Sequence, residues 1–185
     1  MTLLSIQQIQ RGLDDKFGPL EPMIRGFRLV NGGVTEDALA LSESSLGVTL
    51  PQTFRELIKA FDFGRLTIGP VAFCNSGDYL SDVNKLNTSA RWWGNGARPT
   101  NLLMVANSDP YAILIAIDTG AVWAMDSEQG FERAICVAES FETYLRAMGT
   151  IMLRRNDAAD RNFLAREASK DAGDVGVGYW EYFAK

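Results

Sequence analysis

The chain has 185 residues, 46% hydrophobic and 22% charged, a composition that excludes a disordered polypeptide and suits one domain with appendages. It contains no histidine, which excludes Ser-His-Asp and Cys-His triads, histidine-zinc sites and imidazole acid–base pairs. The net charge of −5 is already carried by residues 31–128, where eleven acidic side chains stand against six basic ones, a field that disfavours nucleic acid and favours a basic partner.

In chain order, Leu4, Ile6, Ile9, Leu13 and Phe17 recur near helical spacing and predict a short amphipathic helix stopped by Gly18-Pro19. The stretch PLEPMIRGFRLVNGG holds two prolines and ends in NGG, so it predicts a connector with a strand through Phe27 and Val30. Thr35 is placed to cap a helix over EDALALSESSL, with Glu36 and Asp37 in its first turn, Leu39, Leu46 and Val48 as apolar contacts, and Gly47 as its stop. The next helix opens at Leu50-Pro51-Gln52-Thr53 with Pro51 in its first turn; its stripe of Phe54, Leu57, Ile58 and Phe61 ends at Asp62-Phe63-Gly64.

After Gly64 the period changes from that of helices to short apolar runs between turn residues. RLTIGPVAFC reads as strand, DYLSDVNKL as helical or irregular, and ARWWGNGARPT as a loop in which Trp92 and Trp93 sit beside Gly94, Gly96 and Pro99. NLLMVAN, YAILIAID and AVWAMD are three β-rich runs punctuated by NSDP and DTG, the latter suited to a tight hairpin. FERAICVA is a last strand, followed by a helix over ESFETYLRAMGTIML with Phe141, Tyr144, Leu145 and Met148 on one face. Helices, then a meander, then a helix define an α+β fold. From Arg154 the chain reads as a polar helix, a flexible Gly173–Gly178 segment, and an aromatic cluster of Tyr179, Trp180, Tyr182 and Phe183 expected to dock back on the domain.

Chemistry-bearing motifs are sparse. Cys74 and Cys136 each lie inside an apolar run and read as small buried hydrophobes rather than a disulfide or a reactive thiol. GDVGVG near the C-terminus follows a polar helix rather than a strand, which does not suit a nucleotide cradle. Asp109, Asp118 and Asp126 lie in or beside turns; they read as turn formers, with a metal site or a carboxylate-dependent enzyme as the sharper alternative. The N-terminal stretch does not read as a signal peptide and no run of 18 apolar residues occurs, so no membrane association and a cytoplasmic location are expected, with no cofactor or metal.

From Gly33 to Met148 the sequence resembles the SUKH superfamily, whose members are similar to a yeast cell-wall assembly regulator and in bacteria are widely encoded as immunity proteins against polymorphic toxins. The match runs through Gly33-Val34-Thr35-Glu36, Glu43, Leu46-Gly47 and Leu50-Pro51, which look like the family's E-x-x-L-G and L-P pattern, and then Phe54, Leu57 and Phe61-Asp62-Phe63-Gly64. Leu102–Ala106, the Asn107-Ser108-Asp109-Pro110 turn, Tyr111–Asp118, Val122-Trp123, Ala138-Glu139-Ser140-Phe141 and Tyr144-Leu145 resemble its later strands and closing helix. Asp109-Pro110 stands where a Gly-Asp turn is usual. The resemblance implies a SUKH-like α+β fold, a central mostly antiparallel twisted sheet flanked by helices. The division expected is residues 1–30 as N-terminal helix and connector, 31–153 as the SUKH-like domain, and 154–185 as a C-terminal helical extension.

The resemblance also implies a non-enzymatic inhibitor that occludes a cognate toxin domain, a nuclease or another intracellular toxin; an intracellular scaffold or adaptor is the alternative of the same fold. The acidic middle of the chain makes a basic toxin the expected partner. Asp78, Asp82, Trp92, Trp93, Asp109 and Tyr111, in or near turns and loops, are the candidate toxin-binding residues.

Overall fold

The computed structural model describes residues 2–89, 92, 93 and 97–185; the breakers Gly94 and Gly96 of the predicted tryptophan loop lie outside them. The helices start where the sequence supplies caps. α1 (Ile6–Phe17) opens on a capping box: the Ser5 hydroxyl accepts from the Gln8 N–H, and the Gln8 side chain accepts from the Ser5 N–H. α2 (Glu36–Leu46) is capped by Thr35 and ends at Gly47, whose φ of 64° is a left-handed conformation glycine adopts without strain. α3 (Gln52–Ala60) follows Pro51, which stands at the cap position itself.

Two two-residue strands, β1 (Thr67–Ile68) and β2 (Val71–Ala72), form a small hairpin, and α4 (Tyr79–Thr88) resolves the ambiguous DYLSDVNKL as helix, capped by Asp78. The core strands are β3 (Leu102–Asn107), β4 (Tyr111–Ala116), β5 (Val122–Asp126) and β6 (Ile135–Ala138). The predicted last strand starts late, because Phe131–Arg133 form a short 3-10 turn. α5 (Phe141–Arg154), α6 (Arg161–Asp171) and α7 (Val177–Phe183) complete the chain.

The six strands form one antiparallel sheet in sequence order, β1 to β6. Side chains alternate across it with period two. Leu103, Ile113, Ile115, Val122 and Ala124 face the main core, whereas Met104, Ala112, Leu114 and Met125 face a second, smaller core with Trp93. Two cores explain why β3 and β4 read as unbroken apolar runs. α5 packs on the main face through Phe141, Tyr144, Leu145, Met148 and Ile151, all fully buried. α1 lies on α5 at close approach: a Cβ on Gly149 would stand 2.5 Å from Ile9 Cγ2.

The sheet borders are closed by segments at the two ends of the chain. At β1, the Thr67 N–H donates to the Gly26 carbonyl at 2.7 Å. At β6, the Trp180 indole N–H donates to the Val137 carbonyl at 3.0 Å, and the Glu139 N–H donates to the Ala172 carbonyl. α7 thereby reaches across the sheet, with Phe183 against Gly69 in the β1–β2 turn. Between Gly64 and Leu102, β2 meets β3 only at the pair Ala72 and Asn107, which leaves Met104 without a strand partner on that side. Asn87 of α4 substitutes for it, accepting from the Met104 N–H and donating to the Met104 carbonyl, both at 2.8 Å.

Two expectations are corrected. No strand runs through Phe27 and Val30; the chain there makes isolated contacts, an Asn31–Phe61 bridge, the Asp62 N–H donating to the Val30 carbonyl and the Thr67–Gly26 bond, and Gly26 bends the backbone at a φ of 86°. Gly173–Gly178 is not a loose spacer. Gly176 sits so close to β6 that a Cβ would lie 2.8 Å from the Cys136 carbonyl, and α7 begins at Val177.

Candidate partner-binding surface

The six sequence candidates fall into three places. Asp78 and Asp82 lie at the start of α4. Asp78 is exposed; one carboxylate oxygen accepts from the Ser81 N–H to cap the helix, and it makes no ion pair among the described residues, although the Arg65 guanidinium lies against the neighbouring Gly77. Asp82 is turned inward. Its carboxylate accepts from the Cys74 thiol at 3.0 Å and pairs with Lys85. Burial pushes its pKa up, but hydrogen bonds from Cys74, from Ser76 and from the backbone of Asn75 and Ser76 outweigh that and hold it below the ordinary carboxylate value. Burial raises the Cys74 thiol, so it is protonated at neutral pH and not a nucleophile.

Trp93 is a core residue rather than a surface anchor: it is 4% exposed, donates its indole N–H to the Leu86 carbonyl and packs beside Phe131. Trp92 is half-buried against the same cluster. Asp109 and Tyr111 stand at the far end of the sheet under the C-terminal helix. The Tyr111 ring stacks edge-on against Tyr179 and Tyr182, and the Tyr182 hydroxyl donates to the Asp109 carbonyl. Tyr111 is therefore used within the molecule, while the Asp109 side chain is exposed. The three turn aspartates do not converge: Asp126 pairs with Tyr111 near Asp109, whereas Asp118 lies beyond the opposite end of β5, about 13 Å away along the strand. No group of three or more acidic or cysteine residues is close enough to hold a metal among the described residues.

Charge is distributed unevenly. In residues 31–128, Glu36, Glu43 and Asp82 are paired, the first two by Arg55 and Lys59 of α3. The Glu43 carboxylate also accepts from the Leu50 N–H, so this pair ties the end of α2 to the start of α3. Asp37, Glu56, Asp62, Asp78, Asp109, Asp118, Asp126 and Glu128 have no cationic partner among the described residues, and all but Asp126 are exposed.

A recess of about 570 Å³ is an open groove between α2 and α4. Leu41 and Ser45 line it from α2, Ser81, Asn84 and Thr88 from α4, and its charged lining is one acid, Asp78, and one base, Lys85. Asn84 donates to Ser42 Oγ and to the Leu80 carbonyl, which leaves its own side-chain oxygen without a donor among the described residues. Leu41 is 74% exposed. Sequence reasoning passed over Leu41; its signal was an apolar residue off the buried face of α2, which carries Leu39 and Ser42.

No helix among the described residues is long and apolar enough to cross a membrane. No curated protein matches the chain. A family model described as the SMI1 / KNR4 family (SUKH-1) matches residues 33–147, a span that runs from just before α2 into α5 and leaves out α1, α6 and α7. With its helix-capped antiparallel meander and this match over more than half its length, the chain belongs to the SMI1 / KNR4 (SUKH-1) family.

Proposed function

We propose that this protein is an immunity protein that works by binding, not catalysis: it occludes a cognate bacterial toxin domain, basic in charge, in the cytoplasm. The observation that carries this reading is the set of uncompensated carboxylates between Asp37 and Glu128, most of them exposed, within a family domain in which Arg55, Lys59 and Lys85 are paired and Arg98 is turned inward, while Arg65 and Arg133 are exposed without an ion pair among the described residues. Arg98, for example, donates to the carbonyls of Leu46, Pro99 and Leu102 rather than neutralising the surface. A nuclease must attract phosphate and is commonly basic, so such a field steers it toward its inhibitor, with association rates on the order of 10⁸ M⁻¹s⁻¹ at low salt. Of the sequence candidates, Asp78, Asp109 and Trp92 keep side-chain surface that a partner can reach; Asp82, Trp93 and Tyr111 support them from within.

The test is co-expression with the toxin domain encoded by the neighbouring gene, together with binding kinetics of the purified pair. Rescue of growth and an association rate that falls steeply as salt rises from ~0.1 to ~1 M, where the Debye length shrinks from about 10 to about 3 Å, is the expected result. Binding without salt dependence removes the electrostatic part, and the absence of both binding and protection refutes the immunity reading.

A further inference from the structure

We infer that an acidic recess between the β4–β5 turn and the Phe131–Arg133 turn takes a lysine or arginine side chain of the basic partner. The inference rests on the immunity reading for the identity of that partner and adds the place and chemistry of the contact. Strand addition to the sheet is not open at its borders, because Gly26 occupies β1 and the segment from Ala172 to Trp180 occupies β6. The recess, about 300 Å³, lies within the family-matched span on the sheet face that carries the smaller core. Leu102 and Ala116, partners across β3 and β4, give it apolar surface, and Trp123 and Phe131, both half-buried, give it two aromatic rings. Its charged lining is Asp118 and Glu132, both exposed, and it includes no base among the described residues.

That charge selects the occupant, because recesses elsewhere mix the two signs. The α2–α4 groove sets Asp78 beside Lys85, the recess along α3 sets Glu36 and Glu56 beside Arg55 and Lys59, the one beside β2 sets Asp82 beside Lys85, and the one between α5 and α6 sets Asp157 and Asp160 beside Arg154. Asp118 spends one carboxylate oxygen on the Thr119 N–H, and neither it nor Glu132 is in an ion pair among the described residues. The neighbouring bases do not fill the recess: Arg98 gives its guanidinium to the carbonyls of Leu46, Pro99 and Leu102, and Arg133, next to Glu132 in the chain, is exposed and outside the lining.

The aromatic walls suit a long cationic side chain. A lysine or arginine stem packs on apolar surface while its charged head meets the ring faces and the two carboxylates. The Trp123 indole nitrogen is buried without an acceptor among the described residues, so turning its N–H toward a carbonyl of the partner breaks no hydrogen bond of the fold. Trp92, the half-buried candidate of the sequence, packs on the same small core as both rings. The complementary surface is a projecting lysine or arginine.

The experiment measures binding of the full chain to the toxin domain encoded by the neighbouring gene, at ~0.15 M salt, where exposed charges act over about 8 Å. Asp118→Asn with Glu132→Gln weakens the complex about tenfold or more. Asp37→Asn with Glu56→Gln removes the same charge from exposed positions of α2 and α3 and leaves affinity within about threefold. Asparagine keeps the acceptor for the Thr119 N–H and all four carboxylates are exposed, so circular dichroism and urea unfolding stay as in the parent. The Trp123 indole N–H resonance, identified by its loss in Trp123→Phe, shifts when the parent binds. If the parent binds but the two double variants lose affinity equally or not at all, or the Trp123 resonance stays in place, the recess is not the contact while the immunity reading stands. If the parent neither binds nor protects, both fall.

Discussion

Asn87 is the residue whose replacement tests the architecture most directly. Its side chain serves the Met104 N–H and C=O, two buried backbone groups that no neighbouring strand reaches on that side. Asn87→Leu keeps the number of heavy atoms and the branch at Cγ and strands both groups. Each of the two unpaired buried groups costs about 1–3 kcal/mol, and the added apolar burial returns about 1 kcal/mol, so the net loss is about 1–5 kcal/mol. For a chain of this size that lowers the melting temperature by about 2–20 °C. Urea unfolding followed by tryptophan fluorescence reads the change as a lower midpoint at unchanged slope. Asn87→Asp keeps the acceptor for the Met104 N–H but sets a carboxylate against the Met104 carbonyl, so it is no better tolerated. A loss below about 0.5 kcal/mol for Asn87→Leu would refute the idea that this side chain stands in for a strand.

Trp180→Phe keeps a ring in the core but removes the donor to the Val137 carbonyl, and chemical unfolding should show a loss of about 1–3 kcal/mol; an unchanged midpoint means that the indole bond does not hold α7 on β6. Tyr79, Tyr144 and Tyr179 are buried, and burial raises all three phenols above their ordinary value. A raised pKa favours the folded state below the unfolded phenol value of about 10, and that contribution is lost as pH climbs above it. Ultraviolet titration should therefore show these three tyrosines ionising together with loss of the near-ultraviolet circular dichroism signal, and their ionisation in an intact fold would contradict their burial.

The local grammar was legible because it is written in adjacent residues. Thr35 and Gly47 mark the ends of α2 through bonds to groups four positions away or nearer, and the meander follows from period-two runs broken at NSDP and DTG, whereas the equally local caps at Ser5, Asp78 and Ser140 went unread. The candidate surface was legible only in part. An exposed aspartate and one locked to a thiol look the same in one dimension, and Asp78 and Asp82 differ only by the turn that brings Cys74 to the second. Trp92 and Trp93 are adjacent in sequence but unequal in burial: both pack on the second core, and Trp93 lies within it with its indole N–H on the Leu86 carbonyl.

The sequence by itself determined an α+β chain with an acidic middle, no imidazole chemistry and the residue pattern of its family. Those properties depend on composition and on spacing over a few residues. The tertiary structure alone decided which carboxylates remain unpaired, that the ends of the chain close both borders of the sheet, and that Leu41 faces solvent beside α4. Each of these depends on contacts between residues far apart in the chain, such as Trp180 with Val137 or Asn84 with Ser42, which no local pattern encodes.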